Sequence, residues 1–282
     1  MIYVSSSCVR ASYISESVKK LADIGYTNIE LSGGTKPYQE LESDLLRLKS
    51  EYNLNYLCHN YFPPPSASFV INLASLDENV FNRSLNHLKN AIELSAKLGA
   101  DKYGFHAGFL INIPENQIGK DIDEQKLFDE PKAIEKFIFG FSELKKEHRD
   151  ITLYLENNVI SETNLKNFDG TNPFFICDHF GYEFFRKKID FKILLDVAHL
   201  KVSCNSLNRN FEKELEQLLN ETDYVHISDN DGKSDTNKIF LKNSELHNQL
   251  KKQTLKGKTF TLEVYSGSDD IKKSFETLAE LI

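Results

Sequence analysis

Phe191-Lys192-Ile193-Leu194-Leu195-Asp196-Val197-Ala198-His199 is the stretch around which the rest of the chain can be organised. Ile193, Leu194 and Leu195 form a short apolar run of the kind shown by a strand buried on both faces. The run stops at Asp196, and His199 follows three residues later. Isolated charges avoid apolar surroundings unless they are paired or bound to a metal, so packing explains such a carboxylate poorly. The same event recurs along the chain: strand-like runs end in His59, His106, Glu156, His226 and Glu263.

Working outward, strand and helix signals alternate from end to end. Residues 2–4, 28–31, 54–59, 102–106, 151–156, 191–196, 224–227 and 259–264 read as strands. Helical periodicity covers 12–24, 38–52, 78–98, 131–148, 211–220, 244–253 and 270–281. Residues 172–188 are less regular and read as a loop followed by a helix through Phe184 and Phe185. Strict alternation implies an α/β protein with a parallel sheet, and eight units imply closure into a (β/α)8 TIM barrel. The competing architecture, a doubly wound open sheet, lacks its Gly-x-Gly-x-x-Gly fingerprint in the first βα turn. No Gly/Ser linker or composition break divides the chain, so residues 1–282 are expected to form a single barrel domain. The polar segment 110–129 is long for a loop and reads as a lid or cap.

Composition narrows the class. Of 282 residues, 40% are hydrophobic and 27% charged, as in ordinary globular proteins. The formal net charge of −8 argues against a broad nucleic-acid footprint, which is normally basic. Cys8, Cys58, Cys177 and Cys204 are widely spaced with no C-x-x-C pair, and read as reduced, mostly buried thiols of a cytoplasmic protein. Met-Ile-Tyr-Val-Ser-Ser-Ser lacks the basic and apolar regions of a signal peptide, and no apolar run is long enough to span a membrane.

A barrel gathers its C-terminal strand ends at one face, where chemistry is done. There the sequence places His59, His106, Glu156, Asp196 with His199, His226 and Glu263, on the third to eighth strands. One histidine at a strand end is more often structural than a ligand, and one glutamate is as easily an ion pair. Their joint placement is the signal: imidazoles mixed with carboxylates and no thiolate suit zinc, manganese, cobalt or iron better than calcium. Glu30, ending the second strand, reads as a pocket contact or an ion pair. Asn157 and Asn158 are candidates to orient Glu156. Asp178 and His179 read as surface residues, and His87, His148 and His247 as exposed positions on helices.

The stretches C-H-N-Y-F-P-P-P and V-I-N-L-A-S within 58–75, K-L-G-A-D-K-Y-G-F-H-A-G at 97–108, L-Y-L-E-N-N at 153–158, L-L-D-V-A-H at 194–199, V-H-I-S-D-N-D-G at 225–232 and L-E-V-Y at 262–265 resemble the xylose isomerase-like TIM-barrel superfamily. That superfamily includes sugar isomerases and epimerases and also endonuclease IV. The resemblance covers essentially the whole chain. It implies one divalent metal, zinc or manganese before cobalt, iron or magnesium, held by Glu156, Asp196, His226 and Glu263. It also implies Glu156 and Glu263 as the acid/base pair of an isomerase or epimerase. In endonuclease IV three zinc ions cleave DNA at abasic sites, and the further ligands match His59, His106, His199 and Asp235 here. The last histidine of that set falls at Asn237, and an amide is a poor zinc ligand beside imidazole.

The resulting expectation is a metal-dependent isomerase or epimerase acting on a small sugar or sugar derivative by proton transfer next to a carbonyl. The alternatives are a zinc-dependent phosphodiester hydrolase of the endonuclease IV type and a barrel that binds metal or sugar without catalysis. Nucleic acid is the less favoured partner, no membrane partner is expected, and a homo-oligomer is neither demanded nor excluded.

Overall fold

The structure, a computed structural model, describes residues 1–148 and 150–282. Eight parallel strands close on themselves in sequence order, β1 to β8, with β8 pairing back to β1. They are β1 (Ile2–Ser5), β2 (Asn28–Leu31), β3 (Asn55–His59), β4 (Lys102–His106), β5 (Thr152–Glu156), β6 (Lys192–Asp196), β7 (Tyr224–Ile227) and β8 (Thr259–Leu262). Between them run α1 (Ile14–Asp23), α2 (Leu41–Tyr52), α3 (Glu78–Lys97), α4 (Glu130–Glu147) and α5 (Glu162–Asn167). The outer layer continues with α6 (His179–Arg186), α7 (Val197–Ser206), α8 (Phe211–Glu221), α9 (Glu245–Leu250) and α10 (Ser268–Ala279).

Period-two alternation explains what each strand contributes. On the inner face, Tyr3, Leu57, Tyr154, Leu194 and Tyr224 pack into one cluster that plugs the barrel floor. Two residues further along five of the strands come Ser5, His59, Glu156, Asp196 and His226, all buried. The outward-facing residues, such as Phe105, Ile193, Leu195 and Val225, join the main core beneath the helices. Register sets the polar layer side by side: His106 lies opposite Glu156, and Asp196 opposite His226. At one position the floor needs glycine. A Cβ on Gly104 would lie 2.7 Å from Leu194 Cδ2 and 3.2 Å from the His59 ring, closer than packed carbons tolerate.

Several expectations are corrected. β8 stops at Leu262, so Glu263 lies one residue beyond it, although its N–H still donates to Ile227 O at 3.1 Å. α7 had no amphipathic signal because it is buried nearly all round, from Val197 to Cys204. Asp178 is buried, not superficial: its carboxylate caps α6 through Gly181 N (2.8 Å) and pairs with Arg209 (3.1 Å). His247 is buried against Phe240, and His87 is half-buried, edge-on to Phe69. His148 and His179 are half-buried as well. The segment 110–129 is ordered against a satellite cluster of Val70, Phe109, Ile111, Ile122 and Phe174. All four cysteines are free and buried. No helix among the described residues is long and apolar enough to cross a membrane.

Candidate active site

Glu156 is the hub of the polar layer. Its Oε2 accepts from His59 Nε2 at 2.8 Å and lies 3.1 Å from His106 Nδ1. Its Oε1 lies 3.4 Å from His226 Nδ1, which in turn is 3.7 Å from Glu263 Oε2. Asp196 divides its two oxygens. Oδ1 accepts from His199 N at 2.8 Å and so caps α7, whereas Oδ2 is buried with no hydrogen-bond partner. This is why Asp196 and His199 are three residues apart: a strand end and the first turn of the next helix share one cap.

His226 is held from behind. Glu30 Oε2 lies 3.2 Å from its Nε2 and also accepts from Thr261 Oγ1 (2.7 Å) and from the Tyr224 hydroxyl. Nε2 is the nitrogen turned to Glu30, and Nδ1 is the one that faces Glu156 and Glu263. Glu30 is therefore an ion-pair partner at the back of His226. Tyr224 and Thr261 in this network carried no sequence signal, since hydroxyls on inner barrel positions look like ordinary strand residues.

Asn157 and Asn158 do not hydrogen-bond Glu156. Asn157 brackets Asp196, accepting from its N–H (2.7 Å) and donating to its carbonyl (3.0 Å), while its own carbonyl meets His199 Nδ1 at 2.9 Å. Asn158 staples the neighbouring loops through Ala107 O and Phe175 O, both at 2.8 Å.

The electrostatics separate the two glutamates. Burial works to raise the Glu156 pKa, but the flanking His106 and His59 outweigh it and hold the carboxyl well below the usual range. Burial lifts Glu263 to about 7, against the pull of His226 and His59. Burial also lowers His106 to about 4, keeping it neutral. Burial opposes charge on His226 and His199, yet Glu30 and Glu263 around the first and Asp196 and Asp235 around the second raise both.

These residues fit a divalent cation. Glu156, Asp196 and His226 offer ligand atoms within 4.8 Å of one another. His226 Nδ1 and Asp196 Oδ2 are both buried without hydrogen-bond partners. Ligands around a tetrahedral ion with ~2.1 Å bonds are separated by about 3.4 Å, close to the 3.4 and 3.7 Å from His226 Nδ1 to the two glutamates. His106 and His199 group with Glu156 in the same way, and Glu30, His59 and Glu263 with His226. Asp235 Oδ2 is 3.2 Å from His199 Nε2, but among the described residues no group of three or more His, Cys, Asp or Glu includes Asp235. Asn237 adopts a left-handed conformation (φ 43°), with its carbonyl accepting from Tyr265 N at 3.1 Å. A cavity of about 390 Å³ opens above the layer, reaching His106, His199 and Asp235.

The family model described as "Xylose isomerase-like TIM barrel" matches residues 18–281. No curated protein matches the chain. Among solved structures, a D-tagatose 3-epimerase-like protein is 21% identical, with 99% of this chain and 96% of that one covered and a TM-score of 0.72. A D-allulose 3-epimerase from Methylomonas sp. is 14% identical, with 100% and 97% covered and a TM-score of 0.69. Endonuclease IV from Thermus thermophilus is 15% identical, with 99% of each chain covered and a TM-score of 0.61. At these identities the likenesses establish the fold.

Proposed function

The chain belongs to the xylose isomerase-like TIM barrel family, and on that premise we propose that it is a metal-dependent isomerase or epimerase of a sugar or sugar derivative. The reaction is proton transfer at a carbon next to a carbonyl. One observation carries the reading: two buried glutamates, Glu156 and Glu263, converge on the same nitrogen of His226 at 3.4 and 3.7 Å. Two carboxyls converging on one point can serve as the acid/base pair of a proton transfer. The sugar epimerases among the structural neighbours agree with it.

In this reading Glu156, Asp196, His226 and Glu263 hold the metal. When bound, a divalent cation polarises the substrate's carbonyl and adjacent hydroxyl as a Lewis acid. Glu156 stays ionised at neutral pH and takes the proton from carbon. Glu263, on the other side of the same nitrogen of His226, is the second acid/base group of the pair. His59 and His106 keep Glu156 charged and oriented. Asn157 fixes the backbone of Asp196 and the ring of His199, which faces the cavity as a substrate contact.

The test is solvent deuterium incorporation across a panel of ketoses and aldoses, with the metal content of each preparation measured. Glu156→Gln and Glu263→Gln should each lower exchange by about 10²–10⁴-fold, the contribution of one positioned base. An exchange rate unchanged in either variant removes that glutamate from the mechanism.

The second reading, an abasic-site phosphodiesterase of the endonuclease IV type, draws on the His59–Glu156–His106 contacts and the His199–Asp235 pair. The same purified protein decides it. Cleavage of an abasic-site duplex with two or three zinc ions per chain would replace the isomerase reading. Asn237 in place of the third site's histidine, and a net charge of −8, weigh against it.

A further inference from the structure

Asn158 lies two residues beyond Glu156, in the loop that follows β5, and lines the cavity above the polar layer together with His106 and His199. Its side chain is buried. Nδ2 donates one proton to Ala107 O and the other to Phe175 O, both at 2.8 Å. The backbone is fixed as well: its N–H donates to Ile176 O (3.0 Å) and its carbonyl accepts from Ser203 Oγ (3.3 Å). Ala107 follows His106 directly, and Ser203 stands one turn beyond His199 on α7. Asn158 is thus bracketed by the two elements that carry the cavity's histidines.

Two carbonyls at 2.8 Å settle which end of the amide is which, because turning it over would set oxygen against oxygen at both contacts. That leaves Oδ1 as an acceptor and nothing else. It accepts from no group among the described residues, yet it is not sealed off like the partnerless oxygens of Asn60 and Asp196. An oxygen of a cavity-lining side chain that is neither bonded nor enclosed faces the cavity. The polar side chains at the rim, Lys120, Asp121 and Ser234, are exposed and can turn to water instead. Asn158 cannot turn without giving up two hydrogen bonds. Such a fixed acceptor discriminates: a bound group that cannot donate leaves it unmatched, which costs more than the bond itself contributes.

We infer that Asn158 is a specificity-determining residue whose Oδ1 accepts from a free hydroxyl of the substrate, on a carbon beyond the carbonyl carbon and its reacting neighbour. This rests on the sugar reading above and deepens it. A sugar whose hydroxyl at that carbon is removed, methylated or phosphorylated has no proton to offer, because a phosphate monoester is largely deprotonated at neutral pH. The class the site recognises is a sugar left unsubstituted at that position.

Solvent deuterium exchange by the full, metal-loaded chain tests the contact. The parents are the ketoses and aldoses of the panel above, D-fructose, D-tagatose and D-glucose among them. Each is compared with its deoxy and fluorodeoxy analogues at every carbon beyond the reacting pair. For the parent that exchanges fastest, one deoxy analogue should lose roughly tenfold to a hundredfold in kcat/KM, the effect of an unmatched buried acceptor. The fluoro analogue at that carbon, close in size to the hydroxyl but with no proton to donate, should lose as much. In Asn158→Ala, shown folded by circular dichroism, that one ratio should fall to within about twofold of parity while the ratios at the other carbons hold. Asn158→Ser takes its place if the alanine variant does not fold. Fluoro analogues that all exchange like their parents overturn the inference on the native chain alone. So does an Asn158→Ala that slows parent and analogues by one common factor, as a purely structural staple would, and the isomerase reading then stands. No exchange from any sugar of the panel removes the sugar reading and takes the inference with it.

Discussion

Tyr154 and Glu156 stand on the same strand and the same face, two residues apart, about 6.6 Å along the chain. Tyr154 belongs to the floor with Tyr3, Leu57, Leu194 and Tyr224. Glu156 belongs to the mouth with His59, Asp196 and His226. Both layers are buried, so burial does not distinguish them. Two of the floor's hydroxyls have partners: the Tyr154 hydroxyl donates to Asp223 (2.6 Å) and the Tyr224 hydroxyl to Glu30. The mouth keeps buried atoms without partners, His226 Nδ1 and Asp196 Oδ2 among them. Stability and chemistry are thus stacked one inward position apart, and the stacking is what each substitution below either breaks or sharpens.

The widest separation is expected from a pair on β6. Leu194→Ala opens a void in the floor and should cost ~2–5 kcal/mol of unfolding free energy, read by urea denaturation of metal-free protein. Asp196→Asn keeps the cap on α7 but removes a buried charge whose second oxygen is unpartnered. Metal-free protein should then be as stable as the native chain or more so, while metal binding is lost. Equal destabilisation by the two would erase the distinction between the layers.

A smaller effect tests the link between them. Glu30 sits between the floor's Tyr224 and the mouth's His226. Glu30→Gln should weaken metal binding by about 10–100-fold, the usual cost of removing a partner behind a ligating histidine. Competition with a chromogenic chelator would measure it, and unchanged affinity would make Glu30 purely structural. In the native protein metal affinity should also climb with pH up to about 7. Burial raises Glu263 to about 7, so a proton must leave it when a cation enters. An affinity flat between pH 5.5 and 7.5 contradicts this.

The smallest effect lies outside both layers. His87 is pushed down to about 4, first by burial and then by Arg83. In the unfolded chain it takes up a proton near pH 6.5. The folded state refuses that proton until about pH 4, so stability is lost as pH falls between those values. His87→Gln should remove about 1–2 kcal/mol of that acid sensitivity between pH 7 and 5, measured as the change in unfolding free energy. An identical acid profile in the variant would place the sensitivity elsewhere.

The barrel was legible because eight strand signals alternate with helices, and alternation leaves few topologies. Its polar mouth was legible because a charged residue ending an apolar run stands out against the local pattern, as Asp196 does after Leu195. What escaped was everything whose signal is not local. Glu30 reads the same whether it meets a substrate or His226. Asn157 adjoins Glu156 in sequence but turns to Asp196 and His199. α7 shows no face because it is buried nearly all round. His247 and Asp178 looked solvated because histidine and aspartate usually are.

By itself the sequence determined the strand-and-helix order, the closure it implies, and the residues waiting at the strand ends, because period and chain order are properties of the chain. Only the tertiary structure decided which of those residues share an oxygen and which nitrogen of His226 faces the cluster. Those facts depend on side chains far apart in the sequence, Glu30 and His226 or His59 and Glu156, meeting across a closed barrel, and no local pattern records such meetings.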